Sequence, residues 1–183
     1  MKILIMILVV GLAFCSCNNS SSSPDKNSDS NKIEVTNDLE NALSLIPSWV
    51  NEKTICKMEN GKAHSGDFVS KVDDVNIYTY AYREYLMNIS KKLPKAIYVS
   101  GWVNSPNPAE TLCMILDIGD GKTPLLWKSY YLKSIVTEPN KWFEFRAGFN
   151  IDKPIKPEYL LKIYGASGGK VAYFDDFKIT FEY

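Results

Sequence analysis

His64, Ser65 and Asp67 are the residue types of a nucleophilic relay, and His64 is the only histidine of the chain. In such a relay a base takes the proton of the serine hydroxyl, so the three side chains must meet in a line of hydrogen bonds. Adjacency in one short turn does not supply that geometry. No P-loop and no HExxH motif occurs either, and the sequence therefore predicts that the protein is not an enzyme.

Asp175 and Asp176 are adjacent in a predicted strand, so their side chains point to opposite faces. Glycoside hydrolysis instead requires two carboxylates that face each other across about 5–10 Å. Asp175 shares its predicted face with Tyr173, Phe177 and Ile179, and we therefore expect it to point inward. An inward carboxylate must be paired, hydrogen-bonded or bound to a metal. Backbone N–H groups of an earlier loop and a metal ion are both open as its partners.

Aromatic and polar side chains that point away from the core are candidates for ligand binding. If Val99, Leu116 and Phe145 face the core, alternation places Trp102, Asp117, Glu144 and Arg146 outward. Trp127 and Tyr130 lie in a strand whose two faces the sequence does not separate. For each aromatic residue the alternative is a place in the core, where such residues are common. The predicted ligand-binding residues are Trp102, Asp117, Trp127, Tyr130 and Arg146.

Period-two alternation predicts that most of the chain forms β-strands. The predicted strands are Asn76–Tyr85, Ala96–Val103, Thr111–Ile118, Trp142–Phe149, Tyr159–Tyr164 and Val171–Tyr183. Pro, Gly, Asn and Asp occupy the connections between them. Many short strands with regular turns indicate an all-β sandwich or jelly roll. One helix is predicted, from Thr36 to Ile46, with Asn37 or Asp38 as its cap and Pro47 after its end.

The N-terminus has the pattern of a secretion signal. Lys2 precedes an apolar run from Ile3 to Phe14 that is too short to span a bilayer as a helix. Ser16 and Cys17 resemble the lipobox of bacterial lipoproteins, which implies cleavage before Cys17 and lipidation of that residue. Cys15 is the less favoured site because bulky Phe14 precedes it, and an ordinary cleaved signal is the alternative.

Composition bounds the remaining organisation. We expect a signal peptide over positions 1–17, a flexible polar tether over 18–35 and one β-sandwich domain over 36–183. The 21 Lys and Arg residues balance 21 Asp and Glu residues, which argues against a nucleic-acid partner. Export makes a disulfide between Cys56 and Cys113 feasible, but two buried free thiols are favoured.

Four segments resemble the galactose-binding-like jelly rolls, especially the carbohydrate-binding modules appended to bacterial glycoside hydrolases. These segments are Ala63–Phe68, Val99–Val103, Lys141–Phe145 and Val171–Ile179. The resemblance implies a jelly roll that binds carbohydrate. It also implies a structural Ca²⁺ at Asp175, with Glu59 and the backbone of positions 61–66 as the further ligands.

Two non-catalytic functions follow as expectations. The first is capture of a polysaccharide by a lipoprotein anchored in the cell envelope, with the outer membrane favoured, beside partner proteins of a glycan-uptake system. The second is adhesion or scaffolding through another protein. A concave face with exposed Trp or Tyr would favour the first function, whereas a flat apolar patch or a free strand edge would favour the second.

Overall fold

The computed structural model describes residues 31–41, 47–59 and 61–183. They form a β-sandwich with a single turn of α-helix, α1 (Leu86–Ile89), and a 3-10 turn at Glu52–Thr54. No helix within these ranges is long and apolar enough to cross a membrane. The strands are β1 (Lys32–Asn37), β2 (Trp49–Val50), β3 (Ile55–Lys57), β4 (Phe68–Val72), β5 (Ala81–Tyr85), β6 (Ala96–Asn104), β7 (Cys113–Gly119), β8 (Pro124–Tyr131), β9 (Phe143–Asn150), β10 (Leu160–Ala166) and β11 (Ala172–Glu182).

The strands form two antiparallel sheets. The six-stranded sheet has the order β3-β4-β11-β6-β9, and β1 also pairs with β11. Strands β1 and β4 share one side of β11, because β4 pairs with its first half, β1 pairs with its second half and β6 takes the other side. The five-stranded sheet has the order β2-β5-β10-β7-β8. The predicted all-β jelly roll is therefore confirmed.

The core lies between the sheets and follows the predicted alternation. Strand β9 alternates buried and exposed positions along its length, as expected for one buried face and one solvated face. The residues predicted to face the core are buried or half-buried there, namely Leu112, Met114, Leu116, Ile118, Phe143, Phe145, Ala147 and Phe149. Alternation of apolar residues thus places β7 and β9 correctly.

A bulge in β11 changes which face its residues occupy. Asp176 has a left-handed φ of 51°, and the register with β6 shifts between Asp175 and Lys178. The bulge inserts one extra residue into β11. Phe174 and Phe177, which regular alternation would place on opposite faces, therefore both face the core. Asp175 is buried as predicted, but it lies opposite Trp102 on the outer side of the sheet.

The predicted helix at Thr36–Ile46 does not begin where the sequence indicated. Thr36 and Asn37 end β1 and pair with β11. The Asn37 side chain accepts a hydrogen bond from the Leu39 N–H at 2.9 Å, and Leu39 has a left-handed φ of 68° that a helix does not allow. Positions 42–46 of the predicted helix lie outside the described residues.

Two further boundaries differ from the prediction. Positions 32–35, which the sequence assigned to the tether, belong to β1, because β11 offers that strand a long edge to pair with. The predicted strand from Asn76 begins only at Ala81, and its tyrosines separate: Tyr80 and Tyr82 are buried, whereas Tyr78 is exposed. The signal peptide, Cys17 and tether positions 18–30 lie outside the described residues.

Cys56 and Cys113 are both free thiols, as the sequence favoured. Cys56 is half-buried on β3 and Cys113 is buried on β7, so the two cysteines belong to different sheets. Burial raises the pKa of each thiol, which keeps both in the unreactive protonated form.

Candidate functional site

A row of charged and aromatic side chains crosses the outer face of the five-stranded sheet. Arg83, Lys162, Asp117 and Trp127 occupy directly opposed positions on β5, β10, β7 and β8. Asp117 follows the core residue Leu116 in β7, so it and its three cross-strand partners point away from the core. The Lys162 ammonium lies 3.0 Å from the Asp117 carboxylate, whose side chain is only 9% exposed.

Two tyrosines, Tyr78 and Tyr164, lie beside this row and form an aromatic group with Trp127. The Tyr78 and Tyr164 rings meet edge to face with centroids 4.8 Å apart. Burial raises the pKa of Tyr164, and a hydrogen bond with the Trp127 side chain opposes that rise. Trp127 is 52% exposed and Tyr78 is 46% exposed. The three rings are therefore in contact through Tyr164, and both outer members are open to solvent.

The segment that carries Tyr78 is fixed to the sheet by polar contacts. The Asn51 amide donates to the carbonyl oxygens of Tyr78 at 2.8 Å and Thr79 at 3.1 Å. The Thr79 hydroxyl is buried and accepts the Gly165 N–H at 2.8 Å. A Cβ atom at Gly165 would lie 2.8 Å from the Phe174 ring, so only glycine permits this close packing. Tyr78 is thus held on the sheet although it precedes β5.

A groove of about 380 Å³ runs along this surface. Tyr78, Tyr164, Ile77, Val75 and Val50 give it apolar walls, and Arg83, Lys162, Asp117, Lys53 and Asn51 supply polar groups. An apolar groove with a few polar groups is typical of sites that bind small molecules or short polymer segments. We call this surface the aromatic face, defined by Tyr78, Arg83, Asp117, Trp127, Lys162 and Tyr164.

The five predicted ligand-binding residues do not form one site. Asp117 and Trp127 are neighbours on the aromatic face, whereas Trp102 and Arg146 lie on the outer side of the six-stranded sheet. Tyr130 pairs with the core residue Met114 and so points to the other side of β8 from Trp127. The structure does not bring Trp102 and Arg146 together with Asp117, because outward residues of different sheets point in opposite directions.

The outer side of the six-stranded sheet is dominated by charged residues that pair with one another. Glu34 contacts Lys178 at 2.8 Å, and the Arg146 guanidinium contacts Glu144 at 2.8 Å. Tyr98 is 44% exposed, and its hydroxyl is bound by Glu182. We call this surface the charged face, defined by Glu34, Tyr98, Glu144, Arg146, Lys178 and Glu182.

Trp102 lies at one end of the charged face and is covered. The His64 ring stacks on it with centroids 3.7 Å apart and an angle of 12° between the rings. Trp142 meets His64 edge-on at 6.1 Å, and its indole N–H donates to the Lys62 carbonyl at 2.9 Å. The ring face that the sequence offered to a ligand is therefore occupied by the protein itself.

Asp175 and Asp176 hold this covering loop in place. The buried Asp175 carboxylate accepts N–H bonds from His64 at 2.9 Å, Ser65 at 3.2 Å and Asp176 at 2.8 Å. The Asp176 carboxylate lies 2.6 Å from His64 Nδ1 and accepts the Ser65 hydroxyl at 2.6 Å. Burial raises the pKa of Asp175 to about 7, with the neighbouring Asp176 charge adding to the rise and the N–H donors opposing it.

These contacts do not fit the calcium site that the sequence resemblance implied. N–H donors point at the Asp175 oxygens, whereas Ca²⁺ needs six to eight oxygen ligands. Glu59 instead pairs with Lys71 at 2.6 Å, on an exposed part of the surface. No group of three or more His, Cys, Asp or Glu side chains in the described ranges is placed to hold a metal ion. Of the two partners left open for Asp175, backbone N–H groups contact its carboxylate.

His64, Ser65 and Asp67 do not form a nucleophilic relay. Ser65 donates to Asp176 rather than to His64, and Asp67 pairs with Lys57 at 3.1 Å. Positions 165–169 also match the Gly-x-Ser-x-Gly pattern of hydrolases. They span the end of β10 and the turn that follows it, however, and the buried Ser167 hydroxyl donates to the Lys170 carbonyl. Neither serine is arranged as an activated nucleophile.

Sequence reasoning missed Arg83, Lys162 and Tyr164 as members of the site. Their signal was present, because each alternates with apolar core residues in its strand: Lys162 and Tyr164 flank Ile163. Tyr78 alternates with Tyr80 and Tyr82 in the sequence, which does not distinguish it from these two buried tyrosines. Alternation within one strand does not reveal the strand order, and it is this order that brings β5, β10, β7 and β8 side by side.

No protein-family model matches the sequence, and no curated protein matches it significantly. Among solved structures, the CBM22-2 xylan-binding domain of Xyn10C from Paenibacillus barcinonensis is 14% identical, with a TM-score of 0.50 over 80% of this chain and 98% of that one. The CBM22-1 xylan-binding domain of the same enzyme is 15% identical, with a TM-score of 0.49 over 81% and 93% of the two chains. TmCBM61, solved with β-1,4-galactotriose, is 14% identical, with a TM-score of 0.40 over 78% and 97%.

At 14% identity, the similarity to the CBM22-2 domain establishes fold and nothing finer. It agrees with the two antiparallel sheets described above and with the jelly roll that the sequence resemblance implied. The chain has the β-sandwich fold of carbohydrate-binding modules.

Proposed function

We propose that the protein is a non-catalytic carbohydrate-binding lipoprotein whose aromatic face holds a polysaccharide. The observation that carries the proposal is the group of Tyr78, Tyr164 and Trp127, of which the two tyrosines line an open groove and Trp127 is exposed next to Tyr164. Exposed aromatic rings keep apolar surface in contact with water. A ligand that covers them removes this surface from water, which is favourable, so exposed rings beside a groove are typical of binding sites. A groove that contains aromatic rings can hold a narrow glycan chain, whereas a protein partner usually docks on a flatter apolar patch.

The chemistry of the groove matches a sugar chain. Pyranose rings present apolar C–H faces that stack on Trp and Tyr, and equatorial hydroxyls that bond to charged or polar side chains. Trp127 and Tyr78 offer ring surfaces, while Arg83, Lys162 and Asp117 offer donors and acceptors beside them. The fold likeness to a xylan-binding domain makes a plant-type polysaccharide a sensible first ligand to test.

The N-terminal sequence supports the anchored part of the proposal. Lipidation of Cys17 and a polar tether would hold the sandwich near a membrane of the cell envelope, with the outer membrane favoured. Lipid chains contribute about 0.8 kcal/mol per buried CH₂, so two or more chains anchor a protein stably. Such a protein would present glycans to partner proteins of an uptake system. Mass spectrometry of the mature N-terminus tests the anchor, since a lipid on Cys15 or on neither cysteine would contradict it.

Affinity electrophoresis of the full-length protein in gels that contain soluble polysaccharides tests the binding site. Stacking that buries about 60 Å² of the Trp127 ring contributes roughly 1.5 kcal/mol at about 25 cal/mol per Å², or about tenfold in Kd. We therefore expect Trp127→Ala to weaken binding of the retained polymer about tenfold. Tyr98→Ala is the matched control, because Tyr98 is a similarly exposed aromatic residue on the charged face. The proposal fails if no polymer retards the protein, or if both variants bind as the wild type does.

A further inference from the structure

Arg83 is a cation on the aromatic face that has no counter-ion among the described residues. Its side chain is exposed beside the groove, and it forms no ion pair or side-chain hydrogen bond within the described ranges. Its cross-strand neighbour is Lys162, so two cations lie directly opposite each other on β5 and β10. Like charges at such positions destabilise a sheet. Lys162 is compensated by Asp117 at 3.0 Å, which leaves the Arg83 charge unbalanced.

The other arginine of the chain is in the opposite situation. The Arg146 Nε and Nη2 atoms donate to one oxygen of Glu144 at 3.0 and 2.8 Å, on the charged face. The chain as a whole has equal numbers of acidic and basic residues. The groove nevertheless carries Lys53, Arg83 and Lys162 against the single carboxylate of Asp117. A local positive excess in a neutral chain is a feature that calls for an anionic ligand.

Because the unpaired cation is an arginine, the chemical class of the anion that it would bind can be specified. Guanidinium groups are planar and present paired N–H donors that match the two oxygens of a carboxylate. Lys162 already forms an ion pair with the largely buried Asp117. Arg83 is therefore the guanidinium beside the groove that can pair with a ligand carboxylate. Trp127 lies at the other end of the same row, across β10 and β7. One ligand that spans this row would stack a sugar ring at Trp127 and present an acidic group at Arg83.

We propose that the glycan bound by the aromatic face carries carboxylates, as uronic acid polymers do, and that Arg83 pairs with one of them. This inference rests on the proposed function and adds the substrate class to it. Arg83 then selects acidic over neutral chains of the same backbone, while the aromatic rings supply affinity that does not depend on charge.

Matched polymers separate these two contributions. Glucuronoxylan and polygalacturonate are each compared with their carboxyl-reduced forms, which keep the backbone and lose the charge. We expect the full-length protein to bind at least one acidic polymer about tenfold more tightly than its reduced form, the gain typical of one charge-assisted pair. Arg83→Gln removes that difference, so the acidic polymer and its reduced form bind with equal affinity. Arg146→Gln, the matched control on the charged face, keeps the preference. Trp127→Ala weakens both members of a pair equally.

Three outcomes would overturn the inference. The wild type could bind acidic and reduced polymers equally, Arg146→Gln could lose the preference as Arg83→Gln does, or dextran sulfate could bind as tightly as the uronate polymer, which would indicate charge attraction alone. If neutral polymers bind through Trp127 and no acidic preference exists, only the role of Arg83 fails. If no polymer binds at all, the proposed function fails with it. Melting temperatures of the variants establish that each remains folded.

Discussion

Trp102 and Trp127 both point away from the core, but their surroundings differ. Trp127 is open to solvent and touches the half-buried Tyr164, whereas Trp102 lies under the ring of His64. His64 belongs to a loop that precedes β4 and is held by Asp175, more than a hundred residues later in the chain. Whether an outward tryptophan is available to a ligand is thus decided by a distant loop and not by the strand that carries it.

The charges of the two faces differ in the same way. On the charged face Glu34 pairs with Lys178 and Glu144 with Arg146, so its polar groups satisfy one another. On the aromatic face Arg83 has no such partner within the described residues. A surface whose groups are mutually satisfied gains little from a ligand, and a surface with unmatched groups gains more. This difference supports the proposed binding role of the aromatic face.

The largest effect is expected at Asp175, which holds the loop over Trp102. Asp175→Ala leaves three partly buried N–H donors without their acceptor, and a loss of this kind costs about 1–3 kcal/mol when the donor is fully buried. Water can reach part of the released loop, so we expect the free energy of unfolding to fall by about 3 kcal/mol. Urea denaturation measures the change, and acrylamide quenching reports Trp102 becoming accessible. Glycan affinity should not change, since the aromatic face lies on the other sheet. Equal losses of stability and affinity would contradict the separation of the two faces.

Asp175→Asn adds a test in pH. The folded-state pKa of Asp175, about 7, lies above its ordinary value of 3.8, so the folded protein holds this proton more tightly than the unfolded chain. The stability contributed by this group is then fully present below pH 4 and is lost as pH rises to 7. We expect the wild type to lose stability relative to Asp175→Asn from pH 5 to pH 7.5, by at most about 1.4 kcal/mol per pH unit. Parallel stability curves for the two proteins would show that Asp175 does not titrate in this range.

A smaller effect is expected at Asp117, which balances charge on the aromatic face. Asp117→Asn removes the partner of Lys162 while keeping the size of the side chain, and we expect a loss of about 1 kcal/mol in stability. The groove gains one net positive charge, so affinity for a uronate polymer should rise about threefold. Glu144→Gln removes a comparable pair from the charged face and should change neither quantity measurably. A drop in acidic-glycan affinity for Asp117→Asn would mean that Asp117 itself contacts the ligand.

Local sequence patterns predicted the parts of the fold that depend on neighbouring residues. The alternation of Leu112, Met114, Leu116 and Ile118 against polar or outward residues identifies the core face of β7, because burial of one face has a period of two. The same pattern correctly predicted that Asp117 and Arg146 point away from the core. It carries no information about strand order, so it could not show that these two residues belong to different sheets.

The remaining errors arise from long-range pairing. Thr36 and Asn37 have the composition of a helix start, but the exposed edge of β11 takes them into a strand. The face of Asp175 depends on the bulge at Asp176, which fits only because a Cβ atom at Gly101 would lie 2.9 Å from the Asp175 carbonyl oxygen and glycine has none. Arg83 could be recognised as unpaired only once β10 had placed Lys162 opposite it. Each of these facts requires two segments far apart in sequence.

The smallest effect is expected from calcium, which the sequence resemblance placed at Asp175 and Glu59. The Asp175 oxygens face N–H donors and Glu59 is bound to Lys71, so Ca²⁺ would have to displace both sets of contacts. We expect melting curves of the full-length protein in millimolar Ca²⁺ and in EDTA to coincide. A higher melting temperature in Ca²⁺ that Asp175→Ala abolishes would instead require the loop at positions 61–66 to turn its carbonyls toward Asp175. That rearrangement would move His64 from Trp102, and the charged face would then present an exposed tryptophan, as the aromatic face does with Trp127.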